Sequence, residues 1–178
     1  IQAISMGREG RIAFGLRAGS LCIVPRLGSS VAKVDFTRQG EPPVWSVDAQ
    51  SDGVCVAGSA LGDVATIDWE TLTVLRRLIG PCNCAVPAVA AVNDRIVLGG
   101  YAHTQLGNGH RSNVVAWDVR SGSRIGSFGR ETRGSASGQP HVRSICGDAA
   151  DGRRIAVAYR DRITIFETRM WTCLLEPE

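Results

Sequence analysis

The sequence predicts an all-β protein made of four similar units, and three observations support this. Apolar residues fall in short runs rich in Val, Ile and Cys, and each run ends at Gly, Asp or another turn residue. No window repeats apolar residues at the period of an amphipathic helix. The same order of runs recurs from residues 1, 44, 86 and 142, at spacings of 43, 42 and 56 residues. We therefore predict one domain, 1–178, with units at about 1–43, 44–85, 86–141 and 142–178.

Each unit begins with a strand that alternates apolar and polar residues, as a strand with one buried face does. A polar turn containing Gly, Asp or Asn follows each of these strands and favours reversal of the chain. The predicted first strands are residues 1–5, 44–48, 86–90 and 142–146.

The second and third strands are the most apolar runs of each unit, and the third ends at an equivalent position each time. Val24-Pro25, Ile67-Asp68, Trp117-Asp118 and Phe166-Glu167 align there. The second strands are predicted at 11–16, 54–59, 95–101 and 154–159, and the third at 21–24, 64–67, 114–117 and 163–166.

The fourth strand is more polar and alternates, which is typical of a half-solvated strand at the outside of a sheet. These strands are predicted at 32–36, 73–78, 123–128 and 171–175.

A four-stranded repeat of about 42 residues whose third strand ends on Trp-Asp resembles the WD40 repeat. Residues 57–68 (AGSALGDVATID) are similar to the family pattern Ser-Gly-Ser-x-Asp-Gly-x-Ile-x-x-Trp-Asp, and His141 lies near the place of the family's His. The resemblance implies a β-propeller of four-stranded antiparallel blades. It places five residues at structural repeat positions: Asp68, Trp117, Asp118, Phe166 and Glu167.

The chain departs from the WD40 pattern in several places. Trp117-Asp118 is its one true Trp-Asp pair, Leu61 replaces the turn Asp, and no unit has the family's complete His-Ser-Asp-Trp network. Propellers of this family usually close with about seven blades, so four units predict an arc with apolar faces at both ends. The remaining blades would come from the same chain or from another.

Composition excludes several classes of protein. Hydrophobic residues make up 44% of the chain and charged residues 21%, a balance that indicates a globular core. No apolar run approaches the roughly 20 residues of a membrane-spanning helix, so we expect no membrane association. A net charge of +3 is too small to indicate nucleic-acid binding by itself.

The six cysteines favour buried free thiols, because most lie singly within apolar strands. Reduced thiols predict an intracellular protein, cytoplasmic or nuclear, with an organelle also open. Cys82 and Cys84 form a close pair without a second pair at matching spacing, and the three His residues show no metal-site spacing. We expect neither metal nor cofactor.

Candidate partner-binding residues lie on one face, which propellers form from the second-to-third strand loops and the links between blades. The predicted loops of this face carry seven Arg and four acidic residues, which favours an acidic or phosphorylated partner segment. Trp45 and Arg143 are expected near the top of the propeller's central channel, and both are residue types common at interface centres. The other candidates are loop residues: Arg17, His103, His110, Arg111 and Arg160.

The function predicted is a non-catalytic scaffold or interaction module that binds other proteins within a multiprotein or ribonucleoprotein assembly. No nucleophile elbow, P-loop or dinucleotide fingerprint is present. One alternative is a substrate-recruiting receptor, for example for ubiquitin transfer, in which Trp45, Arg143 and Arg160 read an acidic peptide. A second is a propeller enzyme, because residues 114–128 also resemble a quinoprotein repeat, although that family's signal peptide, adjacent cysteines and axial ligand set are not evident.

Overall fold

A computed structural model shows sixteen strands in four separate antiparallel sheets of four strands each. The structure describes residues 1–36, 42–49, 53–81, 83–93, 95–102, 114–128, 142–147, 153–159 and 162–168, and the backbone of 172–175. In each sheet the strands follow chain order, so each is a meander of three hairpins. The predicted all-β fold of four four-stranded units is confirmed.

Strand bounds follow the predicted repeat closely. The first sheet contains β1 (Ala3–Met6), β2 (Ile12–Gly15), β3 (Leu21–Val24) and β4 (Ala32–Val34), with a 3-10 turn (Arg8–Gly10) after β1; the second contains β5 (Val44–Asp48), β6 (Val54–Ser59), β7 (Val64–Asp68) and β8 (Val74–Leu78); the third contains β9 (Ala88–Ala91), β10 (Ile96–Gly100), β11 (Val114–Asp118) and β12 (Arg124–Phe128); the fourth contains β13 (Ser144–Gly147), β14 (Arg154–Ala158), β15 (Ile163–Glu167) and β16 (Thr172–Leu175).

Three inner strands begin two residues later than predicted: β1, β9 and β13. For β9 the reason is a contact with the preceding sheet. The backbone N–H of Val86 donates to the carbonyl of Ser59 in the preceding sheet, at 3.0 Å. Val86 is thus bonded to the preceding sheet, whereas Gln2 and Arg143, just before β1 and β13, donate to the second strands of their own sheets.

The four sheets are consecutive blades of a propeller, which we number 1 to 4. Their innermost strands contact one another in succession, β1 with β5, β5 with β9, and β9 with β13. Between β1 and β13, both fully described, there is no contact of comparable extent. The four blades therefore form an open arc around a common axis.

The core consists of three apolar layers, one at each seam between consecutive blades. The first layer joins Ile23 and Phe36 to Ile67, and the second joins Val64 to Trp117. In the third, the Phe128 and Phe166 rings pack with their centroids 4.6 Å apart. Burial of these layers is what holds blades together, because apolar area removed from water contributes roughly 25 cal/mol per Å².

A glycine and a valine make a close contact at every seam. Each valine begins a blade and is fully buried, with 0% of its surface exposed. Each glycine is the last or the penultimate residue of the second strand of the preceding blade, and a Cβ added to it would lie only 2.5–2.8 Å from the valine Cγ1. The three pairs are Gly15 with Val44, Gly58 with Val86, and Gly100 with Val142.

We predict that Gly100→Ala lowers the free energy of unfolding by about 1–3 kcal/mol, the usual cost of overpacking a core. The new methyl would lie 2.5 Å from Val142 Cγ1, an atom that Val142→Ala removes. The double variant should therefore lose less than the sum of the two single losses, as measured by urea unfolding. Strict additivity would contradict a direct contact between these residues.

Candidate interaction site on the top face

One face of the arc, which we call the top face, carries both the second-to-third strand loops and the links between blades. Backbone hydrogen bonds join the two kinds of segment. The N–H of Ala60 donates to the Pro43 carbonyl at 2.8 Å, and the N–H of Ala102 donates to the Ala85 carbonyl at 2.9 Å. Loops distant in sequence therefore lie side by side on this face.

The residues predicted to lie near the central axis occupy equivalent positions in the blades. The N–H of Gln2 donates to the Gly15 carbonyl at 2.9 Å, and the N–H of Arg143 donates to the Ala158 carbonyl at 2.7 Å. Gly15 and Ala158 both end second strands, so the two bonds correspond. Both side chains are exposed, as is that of Trp45, which follows the seam valine of blade 2.

Trp45 lies on a β-bulge at the start of β5. Val44 is paired with Ser59 and Ser46 with Gly58, so Trp45 has no partner residue of its own. Its neighbours on both sides are buried, yet 45% of Trp45 is exposed. A bulge redirects a side chain, and here it turns an indole ring away from the interblade layer.

The buried neighbour Ser46 holds this bulge in place. Its hydroxyl donates to the Val86 carbonyl at 2.7 Å, across the seam to blade 3. The indole N–H of Trp45 makes no hydrogen bond to any residue in the described part of the chain. Trp45 thus presents an apolar ring and a donor on a fixed backbone.

Two predicted arginines accompany Trp45 on the top face. Arg17, in the second-to-third loop of blade 1, and Arg143 are exposed, and neither forms an ion pair with a residue that the structure describes. The other candidates lie outside the described residues, so their place on this face stays a prediction: His103, His110, Arg111 and Arg160.

The apolar repeat positions belong to the seams. Trp117 is 1% exposed, and its indole N–H donates to the Ile79 carbonyl of blade 2 at 3.3 Å. The ring of Tyr101 lies 6.5 Å from it, centroid to centroid. Phe166 occupies the corresponding place at the end of β15 and is 6% exposed. The Trp117 ring packs against blade 2 and the Phe166 ring packs against Phe128 of blade 3. Neither ring is available to a ligand.

The acidic repeat positions close the third-to-fourth strand turns. Asp68 Oδ1 accepts the N–H groups of Glu70 and Thr71 at 3.0 and 2.7 Å. These bonds stabilise the carboxylate and lower the pKa of Asp68. Glu167 ends β15 at the same position and is half-buried opposite Arg154.

Asp118 combines the same turn with an ion pair. Its Oδ1 accepts the N–H of Ser121 at 2.8 Å, and the Arg95 guanidinium donates to Oδ2 at 3.1 Å. The Ser121 bond first, and then Arg95, lower the pKa of Asp118 to about 2.

Sequence reasoning missed two polar residues that join inner strands across the seams. Ser5 Oγ accepts the N–H of Ala49 at 3.0 Å, and Asp48 Oδ2 accepts the N–H of Ala91 at 2.8 Å. They occupy equivalent positions, opposite Ala13 and Val56 on their second strands. A polar side chain recurring 43 residues apart near the end of an inner strand was the available signal.

The thiols differ partly from expectation. Cys22 and Cys55 are buried and free, and burial raises the pKa of both thiols. Cys84 is half-buried and Cys146 is exposed, so the expectation of a buried thiol was wrong for Cys146 and only partly met for Cys84. Cys146 lies on the side of blade 4 that no further blade covers.

Two searches of the described residues gave negative results. They contain no cluster of three or more His, Cys, Asp or Glu side chains placed to hold a metal ion. None of their helices has the length and apolar character needed to cross a membrane.

We predict that Asp118→Asn destabilises the fold near neutral pH, because the ionised carboxylate is the form that Ser121 and Arg95 bind. Its folded pKa of about 2 lies below the roughly 3.9 of an unfolded Asp. The stabilisation is therefore complete above about pH 4 and is lost as pH falls towards about 2. In urea unfolding, the gap between wild type and variant should narrow over that range. A gap independent of pH would show that the charge contributes nothing.

Comparison with known proteins shows a likeness in shape. No family model matches the sequence, and no curated protein matches it. Among solved structures, the chain is similar to a chain in the crystal structure of a mitotic checkpoint complex, with a TM-score of 0.74 and 19% sequence identity. The match covers 98% of this chain and 50% of the other, so this chain spans about half the length of its structural neighbour. The likeness shows the β-propeller fold.

Proposed function

We propose that this chain is a non-catalytic, WD40-like interaction module that binds other proteins through its top face and scaffolds a multiprotein assembly inside the cell. The open arc supports the proposal, because it exposes two kinds of surface to a partner: the loops of the top face and the sides of the outer blades. The structural neighbour comes from a crystal structure of a mitotic checkpoint complex, a multiprotein setting in which a propeller fold is used.

The exposure of Trp45 is the observation that carries the proposal. Burying this ring in a partner would remove a large apolar area from water, and its N–H would gain an acceptor. A Ser46 side chain bound across the seam keeps the bulge rigid, so little entropy is lost on binding. Tryptophan at such a position is the residue type most often dominant in interface energetics.

The arginines define the chemistry of the partner segment. Arg17 and Arg143 are exposed on the face that holds Trp45. Guanidinium groups bind carboxylate or phosphate through two parallel hydrogen bonds. We therefore propose that the segment is short, acidic or phosphorylated, and carries one apolar side chain for the indole ring.

A fluorescence-anisotropy titration tests this with a labelled short peptide of alternating Glu around a central Leu. We predict that Trp45→Ala and Arg143→Glu each weaken binding about tenfold, equivalent to about 1.4 kcal/mol, because each removes one part of the recognition. A peptide with Gln in place of Glu should bind wild type weakly and be insensitive to Arg143→Glu.

Two residues on the outer strand β12 provide matched controls. Ile125 is 43% exposed, close to the 45% of Trp45, and Arg124 is an exposed arginine. Ile125→Ala and Arg124→Glu should leave affinity unchanged. If wild type does not bind the acidic peptide, or if the controls weaken binding as much as the top-face variants, this assignment of the site is wrong.

A further inference from the structure

We propose that the upper edge of blade 2 binds an extended partner segment with an apolar side chain at every second residue, and that this segment runs from the axis of the arc towards its rim. The inference rests on the proposed top-face function and deepens it, because it specifies the conformation and the residue pattern of the partner. Three exposed apolar residues carry it, and we call them the apolar line: Trp45, Leu61 and Ile79.

The apolar line crosses the top of one sheet from its inner strand to its outer strand. Trp45 lies at the start of β5, and Ile79 directly follows β8. Leu61 is the middle residue of the loop 59–63, which joins β6 to β7. The strand order β5-β6-β7-β8 therefore sets the order of the three residues from axis to rim.

Blade 1 shows that a blade does not need apolar residues at these positions. Its second-to-third strand loop, 16–20, has the same length as 59–63, and Gly19 and Gly62 both have a positive φ, 82° and 90°. Single exposed apolar residues are common on protein surfaces, but each member of the apolar line is at least 45% exposed and all three share one sheet edge. The equivalent residues of blade 1 are polar or small: Gln2, Ala18 and Asp35.

Buried groups hold the apolar line in place, as Ser46 does at the bulge of Trp45. The Ser59 hydroxyl is fully buried and accepts the N–H groups of Leu61 and Asp63 at 3.2 and 3.1 Å. The carbonyl of Ile79 accepts the indole N–H of blade 3 at 3.3 Å. A surface that is already ordered loses little conformational entropy when a partner binds.

The spacing of the apolar line fits an extended chain. Neighbouring strands lie about 4.8 Å apart, so a residue on β5, one midway between β6 and β7, and one on β8 follow at steps of about 7 Å. In an extended segment, side chains that point the same way are two residues and about 6.7 Å apart. An α-helix advances about 6 Å in four residues and fits the three steps less well. The segment expected is therefore apolar at positions i, i+2 and i+4.

Charged neighbours indicate which end of the segment is acidic. Arg17 follows Leu16, whose carbonyl accepts the N–H of Val44 at 3.1 Å, so an exposed arginine lies beside the inner end of the apolar line. At its centre, Asp63 is half-buried, and its Oδ2 accepts the Ser59 hydroxyl at 3.5 Å. Acidic residues of the segment are therefore expected at the axis end and not over the loop.

Fluorescence anisotropy with four labelled peptides, each made in both chain directions with blocked ends, tests the proposal on the full chain. The first has alternating leucines, Glu-Glu-Leu-Ser-Leu-Ser-Leu, and the second has one, Glu-Glu-Leu-Ser-Ser-Ser-Ser. The third has the composition of the first with its leucines adjacent, and the fourth has three leucines spaced four apart. The alternating peptide should bind at least about tenfold more tightly than any of the others, because it alone places three side chains on the apolar line.

Two variants locate the contacts. Leu61→Ala and Ile79→Ala should each weaken binding of the alternating peptide about fivefold to tenfold and leave the one-leucine peptide within about twofold, because that peptide reaches Trp45 alone. Leu75 is the matched control, since it is 41% exposed near the opposite end of β8. Leu75→Ala should change the affinity of neither peptide.

The outcomes separate this inference from the proposed function. If the one-leucine and alternating peptides bind equally well, the acidic top-face site stands and the apolar line is wrong. Equal binding of the peptide with adjacent leucines would indicate adsorption without register, and tighter binding of the peptide with leucines four apart would indicate a helical partner; either result overturns the extended segment. Failure of every peptide to bind overturns both proposals.

Discussion

The contact of glycine with valine at each seam is the constraint on which the arrangement of blades depends. In blades 1 to 3, a glycine at or next to the end of the second strand lets the next blade begin its inner strand against bare backbone. The valine so placed is fully buried, and the apolar layers on its outer side can then close to core packing density. The contact of glycine with valine therefore sets the distance between blades near the axis, and each sheet extends that spacing to its outer strands.

Hydrogen bonds at the axis complement this steric contact. The inner strand of each blade is paired on one side only, so its other edge has backbone N–H groups that need acceptors. Ser5 and Asp48 supply oxygen atoms to Ala49 and Ala91 of the following blade. In the outer part of the second seam, the Arg76 guanidinium donates to the Arg120 carbonyl. Polar groups thus fix the register between blades that apolar packing alone would leave loose.

The sequence predicted the strands well because their signal is local. Runs such as 54–59 and 114–117 combine β-branched residues with Gly or Asp at their ends, and these properties act within one strand. The burial of Trp117 also agreed with its repeat position. By contrast, the bulge at Trp45 depends on how β5 registers with Ser59, 15 residues later in the chain. Such register is set by long-range pairing, which one strand's pattern does not encode.

Exposure at the ends of the arc was difficult to predict for a different reason. Cys146 lies in an apolar alternating strand, like Cys55, and the two thiols look alike in sequence. Cys55 is buried because a neighbouring blade covers its side of the sheet, and Cys146 is exposed because none does. Burial here depends on the place of a blade in the series, which requires knowledge of its neighbours.

Four blades joined by three layers also imply an order of unfolding. Blades 2 and 3 each share two layers, whereas blades 1 and 4 share one, so the free energy that holds each outer blade comes from a single neighbour. In a linear array of this kind, stability is a sum of nearest-neighbour terms and opening starts at the ends. Among these four blades, amide hydrogens of β6, β7, β10 and β11 should be the slowest to exchange, because blades 2 and 3 each have two neighbours.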